Sequence, residues 1–211
     1  MANVEAEQAV ARLNDLLSDG GLAPLNSEQA QRFSSYLSLL LLWNAKTNLT
    51  AIRDTEGILS RHFVECIACA QWLPSGISSL LDLGSGAGFP GIPISICRPE
   101  IDVTLAESQG KKAAFLREAL RRLGLNAQVH AGRAKQITRQ FDCVTLRAVD
   151  KMEEAVRAAT RLLDLEGRLV LMTTLADLGT LQRSAGGGFS WNEPIPLPGG
   201  DQRVFALGYR R

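Results

Sequence analysis

The sequence has 211 residues, of which 45% are hydrophobic, and its 23 basic side chains nearly balance its 22 acidic ones. A chain of this length fills one core but is short for two independent domains, so we expect one compact unit. The net charge gives no reason on its own to invoke a nucleic acid, a membrane or an acidic partner. The longest apolar run, from Leu37 to Trp43, is far shorter than a bilayer span, so we expect no membrane partner.

The four cysteines, Cys66, Cys69, Cys97 and Cys143, lie in apolar surroundings without the spacing of a disulfide framework. They are therefore interpreted as reduced thiols of a cytoplasmic protein. Cys66 and Cys69 form a C-x-x-C, but no second Cys or His pair completes a tetrahedral zinc site. We expect no metal.

Residues 1–74 are predicted to form an N-terminal helical extension. Apolar side chains at helical spacing over residues 9–17 predict a first helix that ends at a glycine pair. Asn26 followed by Gln29 has the spacing of a capping box and predicts the start of a second helix. A third helix is expected between Asp54 and Pro74, and the proline ends it.

From residue 75 to 211 short apolar runs alternate with helical stretches, which is typical of a parallel sheet with helical crossovers. The clearest helix is Lys111–Leu123, and two late runs near Ile195 and Val204 suggest a closing β-hairpin. The fold class is therefore an α/β, Rossmann-like sheet. The predicted strands are Leu80–Leu83, Val103–Ala106, Ala127–His130, Cys143–Leu146 and Arg168–Met172.

A buried strand is followed by a glycine turn and then by a helix in the stretch from Leu80 to Gly91. Glycines at positions 84, 86 and 88 would let a ligand approach the backbone closely, and free N–H groups at the helix start suit an anion. Gly84, Gly86 and Gly88 are therefore candidate cofactor-binding residues.

Gly86-x-Gly88-x-x-Gly91 also matches the dinucleotide fingerprint, which is weak evidence by itself. Asp82 lies inside the strand end, where a carboxylate would repel a pyrophosphate but would suit the ammonium and sulfonium of S-adenosylmethionine (AdoMet). Glu107 ends the next strand and can accept hydrogen bonds from both ribose hydroxyls. Ribose binding alone fits NAD equally well, so a dehydrogenase stays an alternative, although no hydride-transfer partner is apparent.

The predicted fourth strand ends in Arg147 and carries no activated nucleophile or obvious general base. That absence fits an acceptor that needs no deprotonation, such as guanine N7. Arg147 would lie at the ligand edge of the sheet as a base or phosphate anchor, and we treat it as the candidate catalytic residue. A salt bridge to Asp82 or Asp142 is the plainer interpretation of the same residue.

Residues 111–151 contain ten basic side chains against three acidic ones, so one face of the protein could be basic. Lys111, Arg121 and Arg133 are the candidates for phosphate contacts with RNA. Solvated helix faces would give the same sequence pattern.

The chain resembles the bacterial 16S rRNA guanine-N7 methyltransferase family, also called glucose-inhibited division protein B. The uninterrupted Gly-Ser-Gly-Ala-Gly-Phe-Pro-Gly-Ile-Pro is the most specific match. The segments that carry the resemblance, in order, are Trp43-Asn44-x-x-x-Asn48-Leu49-Thr50-Ala51-Ile52-Arg53-Asp54, Arg61-His62-Phe63, residues 82–93, Lys111-x-x-x-Phe115-Leu116-Arg117, Gly132-Arg133-Ala134 and Arg147-Ala148.

The resemblance implies N-terminal helices packed on a seven-stranded, mostly parallel class I AdoMet-dependent methyltransferase sheet. It implies cofactor contacts at Gly84, Phe89, Ala134, Lys135 and Arg147. It also implies a partner, 16S rRNA or the small ribosomal subunit, with a target guanine in the decoding-region loop. On the RNA side it implies Asn48, Arg61 and His62, each of which could equally be a packing or capping residue.

The chain departs from the family pattern at three positions. Thr173-Thr174 stands where a Lys-Gly is common, Glu107 replaces the commoner Asp, and Glu65 replaces an Asp after the Arg-His pair. The loss of a lysine at the ligand edge keeps a non-enzymatic AdoMet-binding module among the alternatives. A small-molecule methyltransferase is a further alternative, and it predicts an apolar lid where an RNA enzyme needs a basic rim.

Overall fold

The computed structural model describes residues 2–200 and 202–211, with only the backbone of residues 2–7. The N-terminal elements are helices α1 (Ala2–Asp19) and α2 (Ser27–Asn44), followed by one continuous helical stretch. That stretch consists of α3 (Thr55–Gly57), a π-helix (Ile58–Val64) and α4 (Glu65–Trp72). The predicted capping box is confirmed, because the side chain of Asn26 accepts from Gln29 N at 2.9 Å and that of Gln29 accepts from Asn26 N at 3.0 Å.

The rest of the chain alternates strands and helices, as the sequence pattern predicts. The strands are β1 (Ser79–Leu83), β2 (Asp102–Glu107), β3 (Gln128–Ala131), β4 (Phe141–Arg147), β5 (Leu163–Thr174), β6 (Phe189–Trp191), β7 (Ile195–Pro196) and β8 (Arg203–Arg210). The helices are α5 (Gly91–Cys97), α6 (Gly110–Leu123), α7 (Met152–Arg161) and α8 (Leu175–Ala185). No helix in the described ranges has both the length and the apolar character needed to cross a bilayer.

The connection between β3 and β4 differs from the expected helical crossover. It holds only a 3₁₀ turn at Ala134–Gln136, within a linker of residues 132–140. Nine residues in extended conformation span about 30 Å, which is enough to cross the face of the sheet over β2 and β1, the two strands between β3 and β4. A helix of nine residues would span only about 14 Å. The distance to be covered therefore favours an extended linker.

The sheet has the strand order β3-β2-β1-β4-β5-β8-β6. The first five strands in this order are parallel, and β8 runs antiparallel to β5. The chain order reverses between β1 and β4, so the crevice at their carboxyl ends is the topological switch point where ligands bind in open α/β sheets.

The two short strands β6 and β7 lie along the same side of β8. Trp191 pairs with Gly208 and Ile195 with Phe205, so the register shifts by one residue between them. They therefore act as one interrupted outer strand. This accounts for eight strands where seven are expected, and the antiparallel pairing of β7 with β8 confirms the predicted closing hairpin.

The two faces of the sheet bury different helices. Leu80 and Cys143 belong to a core cluster shared with the N-terminal helices, α5 and α6. Leu81 and Val144 belong to a second cluster, on the side of α7 and α8. Since side chains alternate along a strand, Arg147 in β4 points to the same face as Cys143, toward the N-terminal helices.

Candidate active site

The glycine turn after β1 forms the floor of a cavity of about 580 Å³. We call it the glycine-loop cavity. Gly84 and Gly86 lie in its wall with φ of +81° and +57°. A Cβ on Gly84 would lie 2.8 Å from Cγ2 of Val149, so neither the backbone conformation nor the space admits a side chain there. The remaining residues around it are Leu49, Thr50, Ala51, His62, Ser85, Ala87, Phe89, Glu107, Ser108, Gln109, Lys112, Arg147, Ala148 and Asp150.

Gly88 is needed for close packing around the loop and does not line the cavity. It is buried, and a Cβ at this position would lie 2.5 Å from Cδ1 of Ile92 and 2.8 Å from the hydroxyl of Tyr36. Tyr36 in turn donates to the carbonyl of Ala87 at 2.5 Å. The third glycine therefore lets α2 and α5 close on the loop, and the structure does not place it in the cavity wall.

Asp82 lies behind the glycine turn and not at the cavity, contrary to our expectation. It is 1% exposed, its Oδ2 accepts the N–H of Gly91 at 3.0 Å, and its Oδ1 accepts the hydroxyl of Thr145 at 3.3 Å. Alternation along β1 turns its side chain toward α5, and burial raises its pKa to about 6. Asp82 thus fastens the start of α5 to β1, and a direct contact with the cationic groups of AdoMet is not what the structure supports.

Glu107 lies where the sequence predicts it, at the end of β2 and in the cavity wall. Its Oε2 accepts the N–H of Gly86 at 3.0 Å and its Oε1 accepts the N–H of Gln109 at 2.7 Å. An ionised carboxylate has about four lone-pair sites, so two remain for ligand hydroxyls. The carboxylate therefore both shapes the glycine turn and faces the cavity.

Phe89 and His62 form the wall of the cavity on the side of the N-terminal helices. Their rings are stacked with centroids 4.6 Å apart. His62 belongs to the π-helix, a rare conformation that occurs often at functional sites. Its Nε2 lies 2.7 Å from the hydroxyl of Thr50, which belongs to the segment Leu49–Ala51 at the cavity mouth.

Arg147 leaves β4 at the junction of two cavities. One is the glycine-loop cavity, and the other, of about 720 Å³, lies between the ends of β4 and β5 and helices α7 and α8. We call the second the adjoining cavity. Both share Arg147, Ala148 and Val149, and the structure thus places the candidate catalytic arginine between them, at the ligand edge of the sheet.

The partners of Arg147 are residues of the N-terminal helical stretch. Its Nη2 donates to the carbonyl of Arg61 at 2.8 Å, lies 3.1 Å from Nδ1 of His62 and donates to Glu65 at 3.0 Å. Arg147 therefore forms its salt bridge with Glu65. A salt bridge to Asp82 or Asp142, the alternative considered from the sequence, is not the one formed.

Glu65 is a functional candidate that sequence reasoning missed. Its side chain is 1% exposed, and its carboxylate lies between Arg147 and Arg203, whose Nη2 is 2.5 Å from Oε1. The three residues are far apart in sequence and all contribute to the adjoining cavity. In the sequence, Glu65 stands out only as a Glu where the family pattern has an Asp. That difference does not indicate that Arg147 and Arg203 are its partners.

The predicted RNA-side residues are not all in the same place. His62 is in the cavity wall, whereas Arg61 reaches the site through its backbone carbonyl. Asn48 is exposed, and its Oδ1 accepts Arg53 Nη2 at 2.6 Å. Its neighbours in sequence, Leu49 to Ala51, line the cavity instead of Asn48 itself.

The segment after β3 lies beside the glycine-loop cavity without lining it. Ala134 is half-buried against the core on the side of α7, and Arg133 and Lys135 are exposed. The N–H of Gly132 donates to the carbonyl of Glu107 at 3.2 Å, which fixes this segment to the cavity edge. The cofactor contacts that the resemblance implies at Ala134 and Lys135 stay predictions.

The three basic residues proposed for phosphate contact lie at two different ends of the molecule. Lys111 is exposed in the first turn of α6, at the same edge of the sheet as Arg133. Arg121 lies about 15 Å further along α6 and pairs with Glu118 at 2.8 Å. Lys111 and Arg133 are therefore near the cavity, and Arg121 is not.

Within the part of the chain that the structure describes, no three His, Cys, Asp or Glu side chains converge as a metal site.

Thr173 and Thr174 line the adjoining cavity, and the Thr174 hydroxyl accepts from Asp177 N at 3.2 Å as the N-cap of α8. Arg147 and Arg203 lie in the wall of the same cavity.

Two solved proteins illustrate the likeness of this fold to known structures. TrmN from Thermus thermophilus matches with a TM-score of 0.58 and 19% identity over 72% of this chain and 53% of that chain. TYW2 from M. jannaschii, solved in complex with AdoMet, matches with a TM-score of 0.56 and 14% identity over 71% and 76%. The likeness to these proteins shows that the chain shares their Rossmann-like α/β fold.

The family described as "GidB: rRNA small subunit methyltransferase G" matches residues 29–183. A relative of that name from Roseiflexus sp. is 39% identical over 87% of this chain and 84% of its own length. Another, from Xanthomonas campestris pv. campestris, is 42% identical over 70% of each chain. The chain belongs to the rRNA small subunit methyltransferase G family, and methylation of small-subunit rRNA follows as its activity.

Proposed function

We propose that this chain transfers the methyl group of AdoMet to N7 of a guanine in the decoding region of 16S rRNA. The observation that carries the proposal is the state of the groups at the junction of the two cavities. Arg147 contacts both His62 and Glu65, and burial together with Arg147 lowers the pKa of His62 to about 3. A histidine with so low a pKa is a poor base near neutrality, and guanine N7 has no proton to remove.

The glycine-loop cavity suits the cofactor. Its volume of about 580 Å³ lies within the usual range for small-molecule sites. Glu107 would accept the ribose hydroxyls, and Gly84 and Gly86 would let the nucleoside lie against the backbone. When bound there, AdoMet supplies an electrophilic methyl group, so the residues around it need only orient the acceptor.

The adjoining cavity suits the acceptor base, because Arg147 belongs to the walls of both cavities. A planar guanidinium can donate two parallel hydrogen bonds to a base or a phosphate. Arg147 would hold the guanine so that its N7 lone pair faces the glycine-loop cavity, where the methyl donor would be bound. Catalysis then consists mainly of proximity and orientation.

The exposed cations beside the cavities support RNA as the partner. Lys111, Arg133 and Lys135 lie on the edge of the sheet where the glycine-loop cavity opens, as expected for contacts with phosphates. A small-molecule enzyme would instead cover this edge with an apolar lid. We place the reaction in the cytoplasm, where small ribosomal subunits are assembled.

The test is an assay with AdoMet labelled in its methyl group and either free 16S rRNA or small-subunit particles, followed by mapping of the modified base. The expected product is one methylated guanosine in the decoding region, cleaved under mild alkaline conditions because 7-methylguanosine is cationic. A methylated guanosine that resists such cleavage would place the methyl group on another atom. Label in small molecules but not in RNA would favour the small-molecule alternative.

A further inference from the structure

A single buried carboxylate lies between two arginines at the junction of the cavities. Glu65 is the first residue of α4, and its side chain is 1% exposed. Oε2 accepts Arg147 Nη2 at 3.0 Å, and Oε1 lies 2.5 Å from Arg203 Nη2. Burial of a carboxylate is costly unless it is paired, and here a guanidinium group faces each of its two oxygens.

The strand register brings both arginines to the same carboxylate. Arg147 ends β4 and Arg203 begins β8, and each points to the face of the sheet that packs on the N-terminal helices. Arg147 and Arg203 are 13% and 16% exposed, so both are largely withdrawn from water. In that low-dielectric setting an ion pair fixes a side chain more firmly than it does at the surface.

The contacts of Arg147 with the N-terminal helical stretch are all made by one nitrogen of its guanidinium group. The carbonyl of Arg61, Nδ1 of His62 and Oε2 of Glu65 all meet the same nitrogen, Nη2. Of the three, Glu65 is the one that carries a charge opposite to that of Arg147. Arg203 faces the other carboxylate oxygen, so each oxygen of Glu65 has its own arginine.

We propose that Glu65 is a positioning residue for methyl transfer, which it serves by holding Arg147 between the cofactor and the acceptor; this rests on the function proposed above. Glu65 does not touch the reacting atoms. Its loss should lower the rate of the chemical step while binding of the RNA, which depends on exposed cations, changes little. Misplacement of an orienting group by about 1 Å costs up to about 100-fold in rate.

The experiment is a double-mutant cycle read by single-turnover methyl transfer to small-subunit particles. Glu65→Gln and Arg147→Lys should each slow the reaction about 10- to 100-fold, with the KM for the particles within about threefold of wild type. If Glu65 acts through Arg147, the double variant should be no more than about threefold slower than the slower single variant. Multiplicative losses would overturn the proposal.

Arg203→Gln is the matched control, because it breaks the other ion pair of the same carboxylate without touching Arg147. It should cost stability but slow the chemical step less than Glu65→Gln does. A rate loss equal to that of Glu65→Gln, without coupling between Glu65 and Arg147, would mean that the carboxylate acts only through the fold. If Glu65→Gln does not fold alone, the cycle is measured with Glu65→Gln in the Arg203→Gln background, which also removes one of the two guanidinium charges that face the carboxylate, and Arg203→Gln is then its reference.

The outcome separates the two proposals. If wild type methylates small-subunit rRNA at the expected guanine and the cycle is multiplicative, the positioning role of Glu65 fails alone. If wild type methylates a different acceptor, the proposed function fails, and the same cycle is measured on that acceptor. Coupling there would still support the role of Glu65.

Discussion

Arg147 and His62 determine each other's hydrogen-bonding state. Nη2 of Arg147 lies 3.1 Å from Nδ1 of His62, and a guanidinium can only donate, so a hydrogen bond between the two requires Nδ1 to be the acceptor. The imidazole then carries its proton on Nε2 and donates it to the Thr50 hydroxyl at 2.7 Å. A neutral histidine thus connects the mouth of the glycine-loop cavity to the arginine at the junction.

The pH dependence of stability should reveal this neutral histidine. Burial and Arg147 lower the pKa of His62 to about 3, so the unfolded chain binds a proton that the folded chain does not between pH 6.5 and 3. Wild type should therefore lose about 1 kcal/mol relative to His62→Gln as the pH falls from 6.5 to 5.5. Urea unfolding of both proteins across this range measures the difference.

Comparison with the variant cancels the other buried group that titrates nearby. Asp82, whose pKa is raised to about 6, is present in both proteins and acts in the opposite direction, adding stability as it becomes protonated. Parallel pH curves for wild type and His62→Gln would contradict a neutral, buried His62.

Glu107 should contribute to AdoMet binding through its charge. Glu107→Gln keeps the length of the side chain but weakens the hydrogen bonds from ribose hydroxyls, and should lower affinity by about 1–2 kcal/mol. Glu107→Ala should lose more, because Gly86 and Gln109 also lose their acceptor. Isothermal titration calorimetry measures both variants.

Asp102→Asn is the control for Glu107, since Asp102 is an acid at the opposite end of β2 that pairs with Arg139 at 3.2 Å. The Asp102→Asn variant should bind AdoMet with the affinity of wild type. Equal affinity of Glu107→Gln and Asp102→Asn would remove Glu107 from the site.

Gly84→Ala should disrupt both the fold and the cavity. A Cβ would require a left-handed backbone at φ +81° and would lie 2.8 Å from Val149. We expect a loss of about 1–3 kcal/mol in unfolding free energy and weak stabilisation by AdoMet in thermal melts. Gly110→Ala, in the first turn of α6 where a Cβ has nothing within 4 Å, should be nearly neutral.

Lys111 and Arg121 lie on the same helix and separate RNA contact from general charge. Lys111→Gln should weaken RNA binding and reduce the salt dependence by roughly one unit of slope if it neutralises a phosphate. Arg121→Gln removes the same charge at the far end of α6 and should leave the slope unchanged. Filter-binding titrations at several salt concentrations measure both, and equal slopes would refute the assignment.

The single-turnover rate should be nearly flat between pH 7 and 9. His62 and Asp82 both titrate below this range, with pKa values of about 3 and about 6. Guanine N7 needs no deprotonation, so the chemical step gains nothing from a base. A rate that rises tenfold per pH unit within this range would reveal a base that the proposed function does not include.

The local features of the fold could be predicted from the sequence. The capping box at Asn26, the glycine turn after β1 and Glu107 at the end of β2 follow from spacing and strand ends, and all lie where expected. Arg147 at the carboxyl end of β4 follows in the same way. Each of these depends on residues that are neighbours in the chain or in one βαβ unit.

The partners of these residues could not be predicted, because they come from distant elements. Whether Asp82 faces a ligand or α5 depends on which face of β1 the N-terminal helices cover, and the sequence pattern of β1 does not contain that information. Glu65 and Arg203 meet because β8 inserts antiparallel beside β5. The ion pairs of Arg147 therefore appear only once the strands are assembled.

The break between β6 and β7 makes one outer edge of the sheet irregular. A long, regular outer strand offers unpaired N–H and C=O groups to any other chain, which is a route to aggregation. Here the outer strand is interrupted by a register shift, and Pro196 contributes no N–H to it. The opposite edge, β3, has only four residues. Neither end of the sheet is therefore a good template for edge-to-edge pairing with a second sheet.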